Sequence, residues 1–365
     1  MSVVINQPVN TLPVLTYRWL KLNELKLSEP IGIPIKPYSK QFVANLDAVK
    51  QMIEIDTGPP AAEIQVLGAG VSSQLTRLSQ TSANTGIQII VPPNTVVEQP
   101  LEIAYRLDAD DCSVIDNNLI IAEADSQITL IFDYSSAPDA AVVHNGLTQI
   151  VAKSGSVVNI VKIQRMQDQA VHFDAVMAEI EPHARVNLIQ AELGGKLAVT
   201  NYVTNLHQAA DTKINSLYFG DQDRVIDVSY LMNHIGRHST SQLTARGVLK
   251  DRARKAFKGT LDFKKGASRA EGSEHEYVLL LDPTVKSDSV PLLLCGEEDV
   301  KGEHAASCGK FDPDQLFYLM SRGFDKIQAT KLIVEAVLSP VIGEIPNDKL
   351  QTVISEVIQR RLAGE

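Results

Sequence analysis

Residues 157–263 read VVNIVKIQRMQDQAVHFDAVMAEIEPHARVNLIQAELGGKLAVTNYVTNLHQAADTKINSLYFGDQDRVIDVSYLMNHIGRHSTSQLTARGVLKDRARKAFKGTLDF. Short runs rich in Val, Ile, Thr and aromatic residues begin near Val157, Phe173, Arg185, Val199, Thr212, Val225, Ser239 and Ala253, punctuated by Gly and Asp. After the first gap the starts recur every 12–14 residues. No motif repeats identically, so the rhythm belongs to structure and not to a sequence repeat. Even spacing of short strands fits two architectures. One is an antiparallel sandwich or barrel. The other is a parallel β-helix, in which each strand stacks on its counterpart one coil earlier. Asn-Gly, the strongest hairpin dipeptide, occurs once, at Asn145-Gly146. Spacing alone leaves both architectures open.

The same strand grammar runs from Ile64 to about Leu294, and different grammars flank it. Upstream, the spacing of Tyr17, Leu20, Leu22, Leu25 and Leu27 predicts a helix stopped by Pro30, Pro34 and Pro37. Phe42 to Ile55 predicts a second, ended by Gly58-Pro59-Pro60. Downstream, Asp312 and Pro313 read as cap and first residue of a helix with the stripe Leu316, Phe317, Leu319 and Met320, closed by Gly323. The next helix spans Asp325 to Leu338, with Ile327, Leu332, Ile333, Ala336 and Val337 inward and Pro340 as its stop. In the last, Leu350, Val353, Ile354, Val357, Ile358 and Leu362 follow i, i+3, i+4 spacing, with Asn347 or Asp348 as cap. Such short helices must pack on the β-region, on each other or on a partner. The expected organisation is a mainly β chain with flanking helices: a mixed helical region over 1–63, a β-core over 64–310 and a helical domain over 311–365.

At 365 residues with 44% hydrophobic content, the chain is long enough to bury a sizeable core. Its net charge of −10 disfavours nucleic acid or an anionic membrane as partner. No apolar run exceeds about five residues, far short of a membrane span. The first nineteen residues carry no basic residue before Arg18 and do not read as a secretory signal. Three cysteines, Cys112, Cys295 and Cys308, are an odd and sparse set that fits a reducing cytoplasm better than a disulfide framework.

Among chemistry-bearing residues, His304 and Cys308 stand out because both side chains suit iron or zinc. On a strand, residues four apart share a face but lie about 13 Å apart. They cannot then close on one ion, and a complete site needs a ligand from a neighbouring strand or another subunit. Spacing alone reads them as a surface histidine and a buried cysteine on a capping strand. The Glu271-Gly272-Ser273-Glu274-His275-Glu276 cluster reads as a solvated turn. Lys250, Arg252, Arg254, Lys255, Lys258, Lys264, Lys265 and Arg269, interleaved with Phe257 and Phe263, read as an outward-facing ladder and not a nucleic-acid surface. Gly68-Ala69-Gly70 is a partial dinucleotide fingerprint without its helix, and reads as a turn. No Walker A sequence occurs, so the sequence carries no signature for hydrolysing ATP itself.

The stretch Asp299 to Gly323, DVKGEHAASCGKFDPDQLFYLMSRG, resembles the closing signature of the SufB/SufD family of SUF iron–sulfur cluster assembly scaffolds. The matching elements are Asp299-Val300-Lys301, His304-Ala305, Gly309, Leu316-Phe317-Tyr318-Leu319 and Ser321-Arg322-Gly323. The likeness extends weakly upstream to about Val225. It implies a right-handed parallel β-helix flanked by helical parts, and so decides between the two architectures. It also implies a non-catalytic cytoplasmic scaffold that pairs with a SufB-like subunit and binds a SufC-like ABC-type ATPase, with a homodimer possible in isolation. Leu316, Phe317, Tyr318, Met320 and Arg322 become the expected ATPase-binding residues, together with Lys331 to Val334.

No permanent cofactor is implied, only transient iron or an iron–sulfur cluster in the complex. The family's SufD branch carries a histidine at the His304 position, implicated in cluster building at the SufB–SufD interface. There the branch commonly reads Cys-Ser-His-Gly-Ala, whereas this chain has Gly302-Glu303-His304-Ala305-Ala306. Cys308 is not a marked position. His275 stands where SufB proteins carry a scaffold cysteine, which places the resemblance on the SufD side. The alternative is a β-helical enzyme acting on polysaccharide, which would line an external groove with carboxylates. A single tryptophan, Trp19, speaks against sugar stacking.

Overall fold

The computed structural model describes residues 2–60, 68–310 and 313–364. The chain enters through β1 (Ser2–Ile5), β2 (Ile31–Pro34), β3 (Gln41–Ala44), α1 (Leu46–Val49), β4 (Glu54–Asp56) and α2 (Ser73–Ser82). Sixteen strands follow: β5 (Thr85–Val91), β6 (Leu101–Leu107), β7 (Ser113–Ala122), β8 (Gln127–Ser136), β9 (Val143–Ala152), β10 (Val157–Gln164), β11 (Val171–Ile180), β12 (Arg185–Glu192), β13 (Leu197–Leu206), β14 (Asp211–Gly220), β15 (Val225–His234), β16 (Thr240–Leu249), β17 (Arg254–Phe263), β18 (Glu271–Leu280), β19 (Lys286–Cys295) and β20 (Lys301–Lys310). The chain closes with α3 (Pro313–Ser321), α4 (Lys326–Ile342) and α5 (Asp348–Ala363).

From β5 onward, even-numbered strands stack in one sheet and odd-numbered strands in the other, all in parallel register. This is a parallel β-helix built from two sheets. One coil takes from 26 residues (Arg185 beside Asp211) to 32 (Arg254 beside Lys286). The 12–14-residue rhythm in the sequence is therefore half a coil. Observed starts at Val171, Leu197, Asp211, Thr240 and Arg254 fall within two residues of the expected ones. The first coil is closed by antiparallel pairing of β3 on β6 and β4 on β5. Among the described residues nothing closes the other end in the same way.

Side chains alternate across each strand, and here both faces are buried. In β10, Val158 and Ile160 join the core inside the coil, while Val161 and Ile163 face outward. On the even sheet that outer face, with Leu217, Phe219 and Val248, is covered by Ile333, Val334, Val337, Leu338, Ile354 and Ile358 of α4 and α5. On the odd sheet, Leu147, Phe173, Ala175 and Val199 are covered by Ile5, Val9 and Ile33 of the N-terminal strap and by Leu75 and Leu78 of α2. Each such aliphatic side chain contributes about 1.5–3 kcal/mol when withdrawn from water.

Several sequence expectations change. N-terminal helix is confined to α1 and α2, because Tyr17 to Leu27 forms turns and Phe42 to Ile55 divides into strand, short helix and strand. The strap follows the outer face of the odd sheet, and a sheet surface, not helical periodicity, sets where its leucines go. Ser72 caps α2 by accepting from the Leu75 N–H. Residues around Ile64 and the expected cap Asp312 lie outside the described residues. Asn347, not Asp348, caps α5. Helix α4 continues through Pro340 to Ile342, and Ile327 and Leu332 face solvent while Ile333 and Val337 are buried. Gly68 and Gly70 sit in a bend and a turn, as expected.

Candidate functional site at the open end of the coil

The last coil is β19 and β20, each the terminal strand of its sheet. β20 is exposed along most of its length, and its only strand partner among the described residues is β18. Such an edge presents a row of backbone donors and acceptors ready to pair with another chain. His304 and Cys308 both lie on this strand, in register with Glu274 and Val278 of β18. Val278 belongs to the core inside the coil, so the alternation places Glu274, Glu276, His304 and Cys308 on the inward face. In the terminal coil no described strand lies beyond that rung, and His304 and Cys308 are exposed. The expected buried cysteine is therefore a surface thiol, because the last rung has no rung beyond it.

Beneath His304 and Cys308 lies a polar layer that the sequence reading placed in solvent. Glu271 to Glu276 is the first half of β18 and not a turn, and Glu274 and Glu276 are buried. Lys255 and Lys258 are also buried, so the basic stretch is not a uniformly outward ladder. An acidic partner accounts for each. Lys255 donates to Glu276, and Tyr218 Oη donates to Glu276 Oε1 at 2.7 Å. Ser289 Oγ donates to Glu276 Oε2 at 2.5 Å, and Lys255 Nζ lies 3.3 Å from the same hydroxyl. Burial lowers the Lys255 ammonium pKa, and the Glu276 carboxylate opposes that shift. Burial, with the Glu276 charge beside it, pushes the Glu274 carboxyl up to about 8. Burial also drives the Tyr218 phenol well up, so it remains a donor.

Among the described residues no group of three or more His, Cys, Asp or Glu is arranged to hold a metal ion. His304 and Cys308 sit on one strand and are not brought together. The second candidate surface is α3. Phe317 and Tyr318 are 73% and 55% exposed, Met320 is exposed, and the Arg322 guanidinium stacks over the Tyr318 ring at 5.2 Å. Leu316 is half-buried, and Leu319 packs toward the α4–α5 cluster. Of Lys331 to Val334, only Lys331 and Leu332 reach the surface, because Ile333 and Val334 are packed on the sheet. A cavity of about 510 Å³ lies elsewhere, between strap residues Lys21–Ile31 and the outer face of the odd sheet. Its lining cations Lys196 and Lys286 are paired with Glu29 and Asp288.

Comparison with known proteins agrees with this geometry. Residues 105–337 match the family described as SUF system FeS cluster assembly, SufBD core domain. The chain is 29% identical over 296 residues to the iron–sulfur cluster assembly protein SufD of Bacillus subtilis, covering 79% of this chain and 67% of that protein. It is 24% identical over 328 residues to a SufBD family protein of Staphylococcus saprophyticus, covering 89% and 68%. A SufBD family protein of Mycobacterium leprae matches at 26% over 263 residues, but these amount to only 30% of that longer protein. With the matched region running from the first complete coils through the open end into α4, the chain belongs to the SufBD family of iron–sulfur cluster assembly proteins and is SufD-like within it.

Proposed function

We propose that this chain is a non-catalytic scaffold subunit of a cytoplasmic iron–sulfur assembly complex. It pairs with a SufB-like subunit through the open end of the coil and presents α3, with the adjoining surface of α4, to a SufC-like ABC-type ATPase. The observation that carries the reading is the unclosed last coil. β20 leaves its edge free where a second β-helix would continue the stack, and His304 is exposed on that strand. Iron or a nascent cluster is then cargo held between subunits. His304 acts only in the assembled complex, because no complete set of ligands converges on it among the described residues. In isolation, a second copy can occupy the same edge. A polysaccharide-acting enzyme fits less well: the outer faces of both sheets, where an external groove would run, are covered by α4 and α5 and by the strap and α2.

Anaerobic coexpression with SufB-like and SufC-like partners tests this, with mass measurement of the purified complex and absorption spectroscopy for the cluster. The expected result is a stable complex containing all three chains and a cluster chromophore lost in His304→Ala without loss of assembly. A chain that purifies free of both partners would overturn the reading. Loss of the chromophore in Cys308→Ser but not in His304→Ala would show that the wrong ligand has been assigned.

A further inference from the structure

Four ionisable side chains that the scaffold reading does not use form a line inside the middle of the coil. Asp116 of β7, His144 of β9, His172 of β11 and Glu192 of β12 are each 2% exposed or less. Asp116 Oδ1 meets His144 Nε2. His144 and His172 are in register on neighbouring rungs, their rings 21° from coplanar and their Nδ1 atoms 2.8 Å apart. His172 Nε2 then faces Glu192 Oε2 across the coil at 3.9 Å, and that oxygen has no hydrogen-bond partner among the described residues. Gly146 keeps the Asp116 end clear. A Cβ there would lie 2.8 Å from His144 Cε1 and 2.9 Å from Asp116 Oδ1.

The donors and acceptors fix a direction along this line. An ionised carboxylate only accepts, and a neutral imidazole has one donor and one acceptor nitrogen. Asp116 also accepts from the Asn118 amide and, at 3.3 Å, from the Tyr134 hydroxyl. Burial opposes its ionisation, but His144, Lys162 and Asn118 together hold its carboxyl below the usual range. His144 Nε2 therefore carries a proton. A neutral His144 offers a bare Nδ1, which accepts from His172 Nδ1. Burial above all takes the His172 pKa well down, so this ring is neutral and its Nε2 is bare. A bare nitrogen facing Glu192 calls for a protonated carboxyl, and burial with the Asp174 charge raises Glu192 to about 8.

We propose that Glu192, His172, His144 and Asp116 form a buried proton relay across the coil, with Glu192 as its donor end and Asp116 as its acceptor end. In the resting form Asp116 is the one ion of the four. The second form arises when Glu192 gives its proton to His172 Nε2 while His172 Nδ1 passes its own to His144 Nδ1. Glu192 is then a carboxylate, His172 is neutral in the opposite tautomer, and His144 is an imidazolium against Asp116. No proton is gained or lost, but three buried ions replace one, which favours the resting form. The surrounding groups do not compete. Lys162 Nζ is held by Asp174 Oδ1 at 2.7 Å. Burial keeps the phenols of Tyr105, Tyr134, Tyr230 and Tyr218 protonated, the last in register with Glu192. The relay makes the middle of the coil responsive to pH. Loss of the Glu192 proton is felt by both rings, whichever partners the scaffold binds.

Imidazole 15N NMR of the full chain tests this, since it distinguishes bare from protonated ring nitrogens. Wild type, Glu192→Gln and His172→Gln are compared below and above the Glu192 midpoint of about 8, with thermal melts as fold controls. Below it, His144 shows a protonated Nε2 and a bare Nδ1, and His172 the reverse. Both rings shift through one common midpoint near 8. His234, which burial takes down to about 4 and which Ser239 and Ser241 hold, stays flat across that range. Glu192→Gln keeps both tautomers, because its amide still donates to His172 Nε2, but abolishes the common shift. His172→Gln leaves His144 blind to the Glu192 titration. The wild-type spectra decide the matter even where a variant does not fold. A doubly protonated His144 below the midpoint, a His172 protonated at Nε2, or rings that do not move near 8 overturn the relay. So does a common shift that persists in folded Glu192→Gln.

Discussion

Lys258 of β17 donates from Nζ to both carboxylate oxygens of Asp227 on β15, at 2.9 and 2.8 Å, with both side chains fully buried under the N-terminal strap. The strap completes the pair. Asn10, in a left-handed conformation, accepts from Lys258 Nζ through its carbonyl at 3.0 Å. Its side-chain amide donates to Asp227 Oδ1 at 2.8 Å and to the Thr200 carbonyl at 2.9 Å. Burial pushes the Asp227 carboxyl pKa up, and the Lys258 charge pulls it back. Removing one partner strands the other charge in the interior, which costs about 3–5 kcal/mol. Lys258→Met is therefore expected to lower stability by that amount in chemical denaturation. Lys258→Met with Asp227→Leu should recover most of the loss, since the double variant leaves no uncompensated ion. A double variant no more stable than the single would refute the pairing argument.

A second expectation concerns pH. Inside the coil, burial and the nearby Asp174 charge raise the Glu192 carboxyl from 4.5 to about 8. Its Oε1 accepts from Gln190 at 3.1 Å, and its Oε2 has no hydrogen-bond partner, with His172 Nε2 3.9 Å away. A carboxyl whose folded pKa lies above its unfolded value binds more protons in the folded state between the two values. Its contribution is fully present below 4.5 and is lost as pH rises to about 8. Glu192→Gln removes this titration. The stability of wild type relative to the variant should fall across that window and level off above it. Denaturant midpoints at a series of pH values measure this, and a flat difference would show that Glu192 ionises as readily folded as unfolded.

Much of the architecture was legible because a two-sheet parallel coil writes its half-period into the sequence. Buried strands such as β10 and β12 read as near-continuous apolar runs. The turns were less legible. Beside Asp125 and Asp251, their left-handed positions include His183, Ala209, Gln222, His238 and Arg269, residues that carry no strong turn signal. The strap was misread as helical because its leucines answer to a sheet face and not to a helical stripe. Lys255, Lys258, Glu274 and Glu276 were misread because each is polar in isolation. The burial of Lys255, Glu276 and Lys258 goes with ion-pair partners 21 to 31 residues away in sequence, which no local pattern reports. The alternation Glu274, Glu276, Val278 is the one signal that could have placed the first two inside.

The polar layer also sets a steric condition. A Cβ on Gly247 of β16 would lie 1.7 Å from Cε2 of Tyr218, the ring whose hydroxyl holds Glu276. The clash is with a buried aromatic ring, not with a flexible side-chain end. Gly247→Ala should therefore cost about 1–3 kcal/mol through displacement of the ring. It should lower the melting temperature more than Ala substitution at Gly32, whose Cβ would meet nothing within 4 Å. Equal melting temperatures for the two variants would mean that the ring moves aside freely.

The last prediction separates docking from stability at the C-terminal helices. α4 and α5 cover the apolar outer face of the even sheet, so truncation ahead of α3 would bare Val161, Phe219 and Val248 and could abolish binding through misfolding. Point substitutions avoid this. Phe317 and Tyr318 project into solvent from α3, and aromatic anchors of this kind dominate protein interfaces. Phe317→Ala with Tyr318→Ala is expected to leave the melting temperature unchanged, because neither ring packs on the core. Loss of about 2 kcal/mol or more at such anchors corresponds to at least roughly a thirtyfold weaker dissociation constant for the SufC-like ATPase. Ile354→Ala serves as the contrast: it lowers the melting temperature by opening a cavity against the sheet. Titration calorimetry of the purified chains reads the affinity. Wild-type affinity in the folded double variant would exclude α3 as the docking face and move the search to the exposed side of α4, beginning at Ile327 and Leu332.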